Sequence, residues 1–119
     1  MSSKYVLTDF QHLRDEMVRK QLINRDISSS KVLEAMSAVP REQFLPLEMR
    51  GFAYEDSPLP IAEGQTISQP YIVALMIDAL NLQGGERVLE IGVGSGYASA
   101  VLAEIADQVI GIERIPTLS

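Results

Sequence analysis

The residues with the clearest chemical potential form an acid-and-glycine pattern after a short apolar run. One carboxylate and three glycines stand at alternating positions: Glu90, Gly92, Gly94 and Gly96. Because glycine has no Cβ, the backbone there can turn sharply or approach a ligand closely. A second acid, Glu113, ends another apolar run 21 residues after Gly92. The spacing predicts a buried strand, a tight glycine turn, a helix that starts near Ser95 and a second strand that ends at Glu113.

The register of these glycines favours S-adenosylmethionine over a dinucleotide cofactor. A dinucleotide fingerprint places glycine or alanine three residues after the second glycine, and that position here holds Tyr97 or Ser99. S-adenosylmethionine has no pyrophosphate, but it carries a ribose and positively charged groups. The Glu90 carboxylate can stabilise the positive groups of the cofactor electrostatically, and Glu113 can accept hydrogen bonds from both ribose hydroxyls. The alternative is a plain strand–helix turn that binds no ligand.

Composition is that of an ordinary globular protein and disfavours several functional classes. The 119 residues suit one domain, and a net charge of −6 without a basic cluster argues against nucleic-acid binding. The absence of cysteine excludes a disulfide scaffold and is typical of a reducing compartment. The longest strongly apolar run, residues 71–80, includes Asp78 and is too short to span a bilayer. No apolar signal region precedes these features, so we expect a cytoplasmic protein.

Helical periodicity dominates the first half of the chain. A capping box at Thr8–Gln11 predicts a helix that runs to about Ile23, with Arg14 on a solvated face. Ser28–Ser30 offer N-caps for a second helix, and Pro40 is expected to stop it. Two further short helical turns are expected at Arg41–Phe44 and Leu47–Phe52.

A segment rich in proline separates these helices from the glycine pattern. Leu59–Ile61 and Gln65–Ile67 can pair as a short hairpin. A helix is expected to start at Gln69–Pro70, with proline in its first turn and Ser68 as its candidate N-cap. That helix is apolar nearly all round, which predicts deep burial and places Met76 in the core.

Four motifs carry a resemblance to a known family. They are Val39–Phe44, Ala53–Ile61, Gly64–Ala74 and Val88–Tyr97. Through these motifs the chain resembles the protein-L-isoaspartate O-methyltransferases from about Met17 to Arg114. The stretch Gln65–Pro70 is the most diagnostic, because it is typical of this family and not of methyltransferases in general.

The resemblance implies an α/β, Rossmann-like fold that uses S-adenosyl-L-methionine. The implied reaction transfers a methyl group to the free α-carboxylate of L-isoaspartyl residues, the first step in repairing damaged proteins, so the implied partners are isoaspartyl-containing proteins and peptides. A carboxylate is already ionised at pH 7. The chemistry therefore needs alignment and exclusion of water rather than a strong general base.

The resemblance also implies roles for individual residues. Ser68 takes the position of the family's active-site serine, and Thr66 would contact the cofactor. Pro60, Gln65 and Ile67 would contact the substrate. The remaining implied cofactor residues are Glu90, Gly92, Gly94, Ser95, Gly96 and Glu113. Local sequence alone favours Ser68 as a helix cap instead, and we find no metal-ligand spacing and no serine–histidine dyad.

The chain departs from the family pattern at Val93, where a small or polar residue such as threonine is common, and in its length. The family's fold is a doubly wound sheet, of which we expect only the N-terminal helices and the first two strands here. This predicts a single truncated domain, residues 1–119. Residues 1–83 would form the helical and substrate-loop region, and residues 84–119 the start of the cofactor-binding sheet.

Two further expectations follow from the incomplete sheet. An oligomer could cover its open edges. The chain could also be a catalytically silent fragment that acts as a binding or regulatory module. A third hypothesis, a methyltransferase for small molecules, is disfavoured by the Gln65–Pro70 stretch.

Overall fold

The computed structural model of the chain describes residues 9–61 and 64–113. Helical segments come first, a short hairpin follows, and a parallel strand–helix–strand unit ends the described part. The helices are α1 (Phe10–Met17), α2 (Ser30–Ala38), α3 (Pro70–Ala79) and α4 (Tyr97–Ala103). The strands are β1 (Leu59–Pro60), β2 (Thr66–Ile67), β3 (Arg87–Ile91) and β4 (Gln108–Ile112). A π-helical turn (Val18–Leu22) and three 3-10 turns (Ile23–Arg25, Arg41–Phe44 and Leu47–Phe52) complete the helical segments.

Helix α1 is capped by an aspartate. The Asp9 carboxylate accepts a hydrogen bond from the backbone N–H of His12 at 3.0 Å, whereas the predicted cap, Thr8, lies outside the described residues. Beyond α1 the helical path widens in the π turn, tightens in the first 3-10 turn and ends at Asp26, whose φ of 69° is left-handed. The prediction of a helix that reaches about Ile23 is confirmed.

The second helix has the ends that the sequence predicts. Ser29 Oγ accepts a hydrogen bond from the N–H of Val32 at 3.4 Å, which satisfies a donor in the first turn. Helix α2 ends immediately before Val39 and Pro40. Both short turns expected after it are present as 3-10 helices.

The apolar faces of the four helices meet in one core. Its largest apolar side chains with under 2% of their surface exposed are Met17, Leu22, Met36, Tyr97 and Val101. Tyr97 is the first residue of α4, and its ring packs edge-on against Phe44, with centroids 5.7 Å apart. Its hydroxyl lies 3.6 Å from the sulfur of Met36. The helix after the glycine loop is thereby anchored to the N-terminal helices.

The predicted deep burial of α3 is only partly correct. Its inner face, with Val73, Ala74 and Ile77, is buried against the core. Its outer face is not, and Met76, expected in the core, has 66% of its surface exposed. This face borders the open edge of β3, where no described element covers it. No helix in the described ranges is long and apolar enough to cross a membrane.

Strands β3 and β4 pair in parallel, in a register that runs from Arg87 opposite Gln108 to Ile91 opposite Ile112. This confirms the predicted strand–turn–helix–strand order. The prediction that β3 is a buried strand is wrong, because none of its residues is buried. Helix α4 covers one face of the pair, where Val88 and Val109 pack against the core. On the other face four large apolar side chains are between 44% and 77% exposed: Leu89, Ile91, Ile110 and Ile112.

A buried polar cluster joins α1 to the segments that follow α2. Arg14 Nε lies 2.8 Å from the hydroxyl of Tyr54, and one terminal nitrogen lies 3.2 Å from the Glu42 carboxylate. The Tyr54 hydroxyl donates to the same carboxylate at 2.6 Å. The prediction that Arg14 is solvated is therefore wrong. Helical periodicity could not reveal that Tyr54, forty residues later, covers this charge.

Burial, together with donation to Glu42, raises the pKa of Tyr54 to about 12. The ordinary phenol pKa is about 10. The stabilisation that the neutral phenol provides is therefore fully present below pH 10 and is lost as the pH rises through 12.

We expect the free energy of unfolding of the unmodified chain to fall between pH 9 and pH 12. Over the same range Tyr54→Phe should lose less, by on the order of 2 kcal/mol, because it has no phenol to ionise at this position. Urea unfolding at a series of pH values measures this difference. Tyr71→Phe is the control, because Tyr71 lies outside the buried cluster. If the unmodified chain and Tyr54→Phe lost equal free energy of unfolding at alkaline pH, the raised pKa of Tyr54 would be contradicted.

Candidate functional site

The glycine loop between β3 and α4 depends on left-handed backbone. Gly92, Gly94 and Gly96 have φ values of 75°, 60° and 86°, which other residues adopt only with strain. The N–H of Gly92 donates to the carbonyl of Ile112 at 2.7 Å, which extends the β3–β4 pairing into the loop. A Cβ added at Gly92 or Gly94 would meet no heavy atom within 4 Å. The loop thus leaves open space beside its backbone.

The second acid of the pattern contacts the loop directly. The Glu113 carboxylate accepts a hydrogen bond from the N–H of Gly94 at 2.5 Å. Both residues therefore lie at the carboxyl ends of β3 and β4, where open α/β sheets bind their ligands. Before any ligand is considered, Glu113 already fixes the middle of the loop.

The first acid, Glu90, joins the two elements that flank the loop, β3 and α4. The Glu90 carboxylate accepts a hydrogen bond from the hydroxyl of Ser99 in α4. The sequence argument used Ser99 only to exclude a dinucleotide pattern and missed this contact. The missed signal is the helical spacing after the loop, which turns Ser99 toward β3.

Ser95 and Val93 occupy the remaining positions of the loop. Ser95 Oγ accepts a hydrogen bond from the N–H of Tyr97 at 3.2 Å, so it closes the turn into α4. Val93 packs against Gly111 in β4 so closely that a Cβ added at Gly111 would overlap the Val93 side chain. With Glu113 it lines a cleft of about 450 Å³ between α4 and β4. Cofactor contact by Ser95 stays a prediction.

Ser68 faces a different cleft, which lies between α3 and β3. This α3–β3 cleft has a volume of about 400 Å³, and Ser68, Glu90 and Gly92 are among its lining residues. The cap of α3 is Gln69, with no side-chain hydrogen bond, so the alternative of Ser68 as an N-cap is wrong. The structure therefore brings the predicted serine and the start of the glycine loop to one cleft.

The hairpin before Ser68 is present as predicted. Leu59 pairs with Ile67, and Pro60 pairs with Thr66. Pro60 and Thr66 are exposed, whereas the side chain of Ile67 is 3% exposed and packs in the core. Thr66 is not among the residues that line either cleft. The predicted cofactor contact of Thr66 and the predicted substrate contacts of Pro60 and Ile67 stay predictions, as does that of half-buried Gln65.

Arg41 is the functional candidate that sequence reasoning missed. Expected only within a short turn, it is fully buried, and its guanidinium lies 4.8 Å from the centroid of the Tyr97 ring. Burial lowers the pKa of Arg41, while the contact with Tyr97 acts in the opposite direction. A signal was present in the position of Arg41 within the Val39–Phe44 motif. In the parts of the chain that the structure describes, no group of three His, Asp or Glu side chains could hold a metal ion.

The strand–glycine turn–helix–strand unit, with acids at both ends of the pattern, defines a partial Rossmann-like fold of the S-adenosylmethionine-dependent methyltransferase class. Within this class the family is also clear. The chain belongs to the protein-L-isoaspartate(D-aspartate) O-methyltransferase family, whose sequence model matches residues 12–119. The resemblance drawn from the four motifs is confirmed.

Curated relatives show both the strength and the extent of this similarity. The chain is 63% identical over 111 residues to protein-L-isoaspartate O-methyltransferase 2 of Marinobacter nauticus, a match that covers 93% of this chain and 51% of that protein. It is 62% identical over 112 residues to protein-L-isoaspartate O-methyltransferase 1 of Rhodopseudomonas palustris. This match covers 94% of this chain and 46% of that protein. The chain thus spans about half the length of the curated relatives it matches.

Solved structures agree with this placement. One protein-L-isoaspartate O-methyltransferase superposes with a TM-score of 0.75 at 31% identity, covering 88% of this chain and 35% of that one. Another, from Plasmodium falciparum in complex with S-adenosyl-L-homocysteine, superposes with a TM-score of 0.73 at 29% identity, covering 94% and 52%. The described helices and strands therefore correspond to part of a larger fold.

Left-handed geometry at Gly92 gives a stability prediction. We expect Gly92→Ala to lower the free energy of unfolding by about 1–2 kcal/mol, because alanine is strained at positive φ. Gly51→Ala is the matched control: a Cβ there also meets open space, and its φ is not left-handed. Denaturant unfolding of both variants measures the difference, and equal losses would show that φ at Gly92 is not the constraint.

Proposed function

We propose that this chain provides the cofactor loop and the catalytic serine of a protein-L-isoaspartate O-methyltransferase. The reaction transfers a methyl group from S-adenosyl-L-methionine to the free α-carboxylate of L-isoaspartyl residues in damaged proteins, which starts their repair. The observation that carries this proposal is the shared α3–β3 cleft, in which Ser68 lies beside Glu90 and Gly92. Family membership supports the choice of reaction.

The residues at the carboxyl ends of β3 and β4 fit an adenosine-containing cofactor. The space that a Cβ would fill at Gly92 and Gly94 is open, so the cofactor could lie against bare backbone. Glu113 stands beside Gly94 and would accept hydrogen bonds from the ribose. When bound, S-adenosyl-L-methionine supplies a methyl group activated by a positively charged sulfur. The glycine loop and Glu113 would hold it, and Thr66 and Ser95 are further candidate contacts.

Ser68 would orient the substrate without acting as a base. The α-carboxylate is ionised at pH 7, so no proton has to be removed before it attacks. A neutral hydroxyl can donate one hydrogen bond to a carboxylate oxygen and leave the attacking oxygen reactive. Apolar residues of the α3–β3 cleft, including Val73 and Ile77, would limit water around the reacting groups.

Partners and compartment follow from the proposed reaction and the composition. The partners would be isoaspartyl-containing proteins and peptides, with Pro60, Gln65 and Ile67 as candidate contacts. A net charge of −6 argues against a nucleic-acid partner, and the lack of cysteine favours the cytoplasm. An oligomer is one way in which the exposed apolar face of β3 and β4 could be covered.

The exposed apolar face also favours a second candidate function, a catalytically silent module that binds a partner. Leu89 and Ile91 present 58% and 77% of their surfaces to solvent. Such a face is typical of a site that another protein surface covers. On this alternative the family's N-terminal surface is kept for binding or regulation, without methyl transfer.

Two measurements separate these functions. Isothermal calorimetry with S-adenosyl-L-homocysteine tests the cofactor site, and transfer of radiolabelled methyl to an isoaspartyl peptide, with its aspartyl twin as control, tests the reaction. The proposal predicts binding heat and label in the isoaspartyl peptide alone. Absence of heat at millimolar ligand, together with no label, would favour the silent module.

Removal of the Ser68 hydroxyl tests its role. We expect Ser68→Ala to lower the turnover rate roughly ten- to a hundredfold, the value of one hydrogen bond to a charged group. Affinity for S-adenosyl-L-homocysteine should stay nearly unchanged. Ser57→Ala is the control, because Ser57 lines neither cleft. Equal losses of turnover and cofactor affinity in Ser68→Ala would contradict this assignment.

A further inference from the structure

Arg41 is a buried cation whose contacts converge on the candidate site. None of its surface is exposed. Among the described residues it forms no ion pair, unlike Arg14 nearby. Burial of a charge without a counter-ion is costly, and only hydrogen bonds and other favourable contacts can offset that cost.

Its hydrogen bonds tie together two separate stretches of backbone. Arg41 Nε donates to the carbonyl of Ala53 at 2.6 Å, and a terminal nitrogen donates to the carbonyl of Ser68 at 2.9 Å. The guanidinium is a planar, rigid fork, so two acceptors bound by it are fixed relative to each other. The second of these acceptors belongs to the proposed catalytic serine itself.

The same guanidinium also contacts the helix that follows the glycine loop. It lies 4.8 Å from the ring centroid of Tyr97, the first residue of α4. The other terminal nitrogen donates to no acceptor among the described residues and is buried as well. Attraction to the aromatic face helps to compensate for this missing hydrogen bond. Arg41 thus connects the Ser68 backbone with the residue that directly follows Gly96.

A second tether acts on this segment from the surface. The Gln69 amide donates to Asp56 at 2.6 Å, and Asp56 also pairs with Arg25. These contacts are solvent-exposed, and exposed polar contacts of this kind contribute little. Arg41 is the buried support of the segment.

We infer that Arg41 is a positioning residue, which fixes the Ser68 backbone relative to the start of α4 and so aligns the serine with the cofactor loop. The inference rests on the proposed function for its catalytic meaning. Its structural content, an ordered Ser68 segment, can be measured without any cofactor.

Two variants of Arg41 and one of Arg14 form the test. Arg41→Met keeps a long apolar side chain but removes both carbonyl bonds, and Arg41→Lys keeps the charge but not the planar fork. Arg14→Met is the matched control, because it also removes a buried guanidinium, yet Arg14 bonds to Tyr54 and Glu42 rather than to Ser68. All measurements are made under conditions where each variant is folded.

The first readout is the NMR order of the backbone amides at residues 66–69 in the 119-residue chain without ligand. We expect order parameters near 0.85 in the unmodified chain and Arg14→Met, and below about 0.6 in Arg41→Met. The Ser68 carbonyl ¹³C shift should move in both Arg41 variants. Unchanged order and shift in Arg41→Met, or equal changes in Arg14→Met, would overturn the inference.

The second readout is kinetic and separates the two proposals. If the unmodified chain transfers methyl, Arg41→Lys should lower kcat about tenfold and leave KM for S-adenosyl-L-methionine within about twofold, whereas Arg14→Met should keep kcat. Unchanged kcat in Arg41→Lys would overturn the catalytic part of the inference alone. If the unmodified chain transfers nothing, the proposed function fails, and the NMR comparison still decides whether Arg41 orders the Ser68 segment.

Discussion

A buried polar cluster around two arginines, Arg14 and Arg41, is the constraint on which the described structure depends. Arg14 pairs with Glu42, whereas Arg41, adjacent in sequence to that acid, binds two backbone carbonyls and an aromatic ring. Tyr54 links the two residues, because its hydroxyl accepts from the Arg14 guanidinium and from the backbone N–H of Arg41, the latter at 3.0 Å, and donates to Glu42. Ordinary apolar packing would hold the helices together. These directional hydrogen bonds also fix the relative positions of α1, the turn after α2 and the segment that carries Ser68.

In the glycine loop, the backbone conformation and the neighbouring side chains each contribute to the shape of the loop. Left-handed geometry makes glycine necessary at Gly92, Gly94 and Gly96 before any ligand is present. The two acids that the pattern offers as cofactor ligands also support the loop, Glu113 through Gly94 and Glu90 through Ser99. Pre-organisation of this kind lowers the cost of binding, because the loop does not have to be ordered by its ligand. A structural role and a binding role for these acids are thus compatible.

Sequence patterns predicted local structure well and long-range burial poorly. The short hairpin and the cap at Ser29 follow from spacing within a few residues, and the parallel unit from β3 to β4 follows from a motif of under thirty residues. All three are present. Burial of Arg14 and exposure of Met76 depend on which distant segment covers them, and periodicity carries no such information. Ser68 illustrates the same limit: its local sequence suits a helix cap, yet the hairpin turns it toward the α3–β3 cleft. The motif resemblance identified the family, although it attached no role to Arg41.

The most direct test of the central claim is a structure of this chain with S-adenosyl-L-homocysteine bound, determined by crystallography or by NMR contacts to isotopically labelled ligand. The claim is that the carboxyl ends of β3 and β4 hold the cofactor beside the cleft that contains Ser68. It predicts ribose contacts to Glu113, backbone contacts to Gly92 and Gly94, and the sulfur directed toward Ser68. Ligand bound elsewhere on the chain, or at the loop with its sulfur directed away from Ser68, would contradict it.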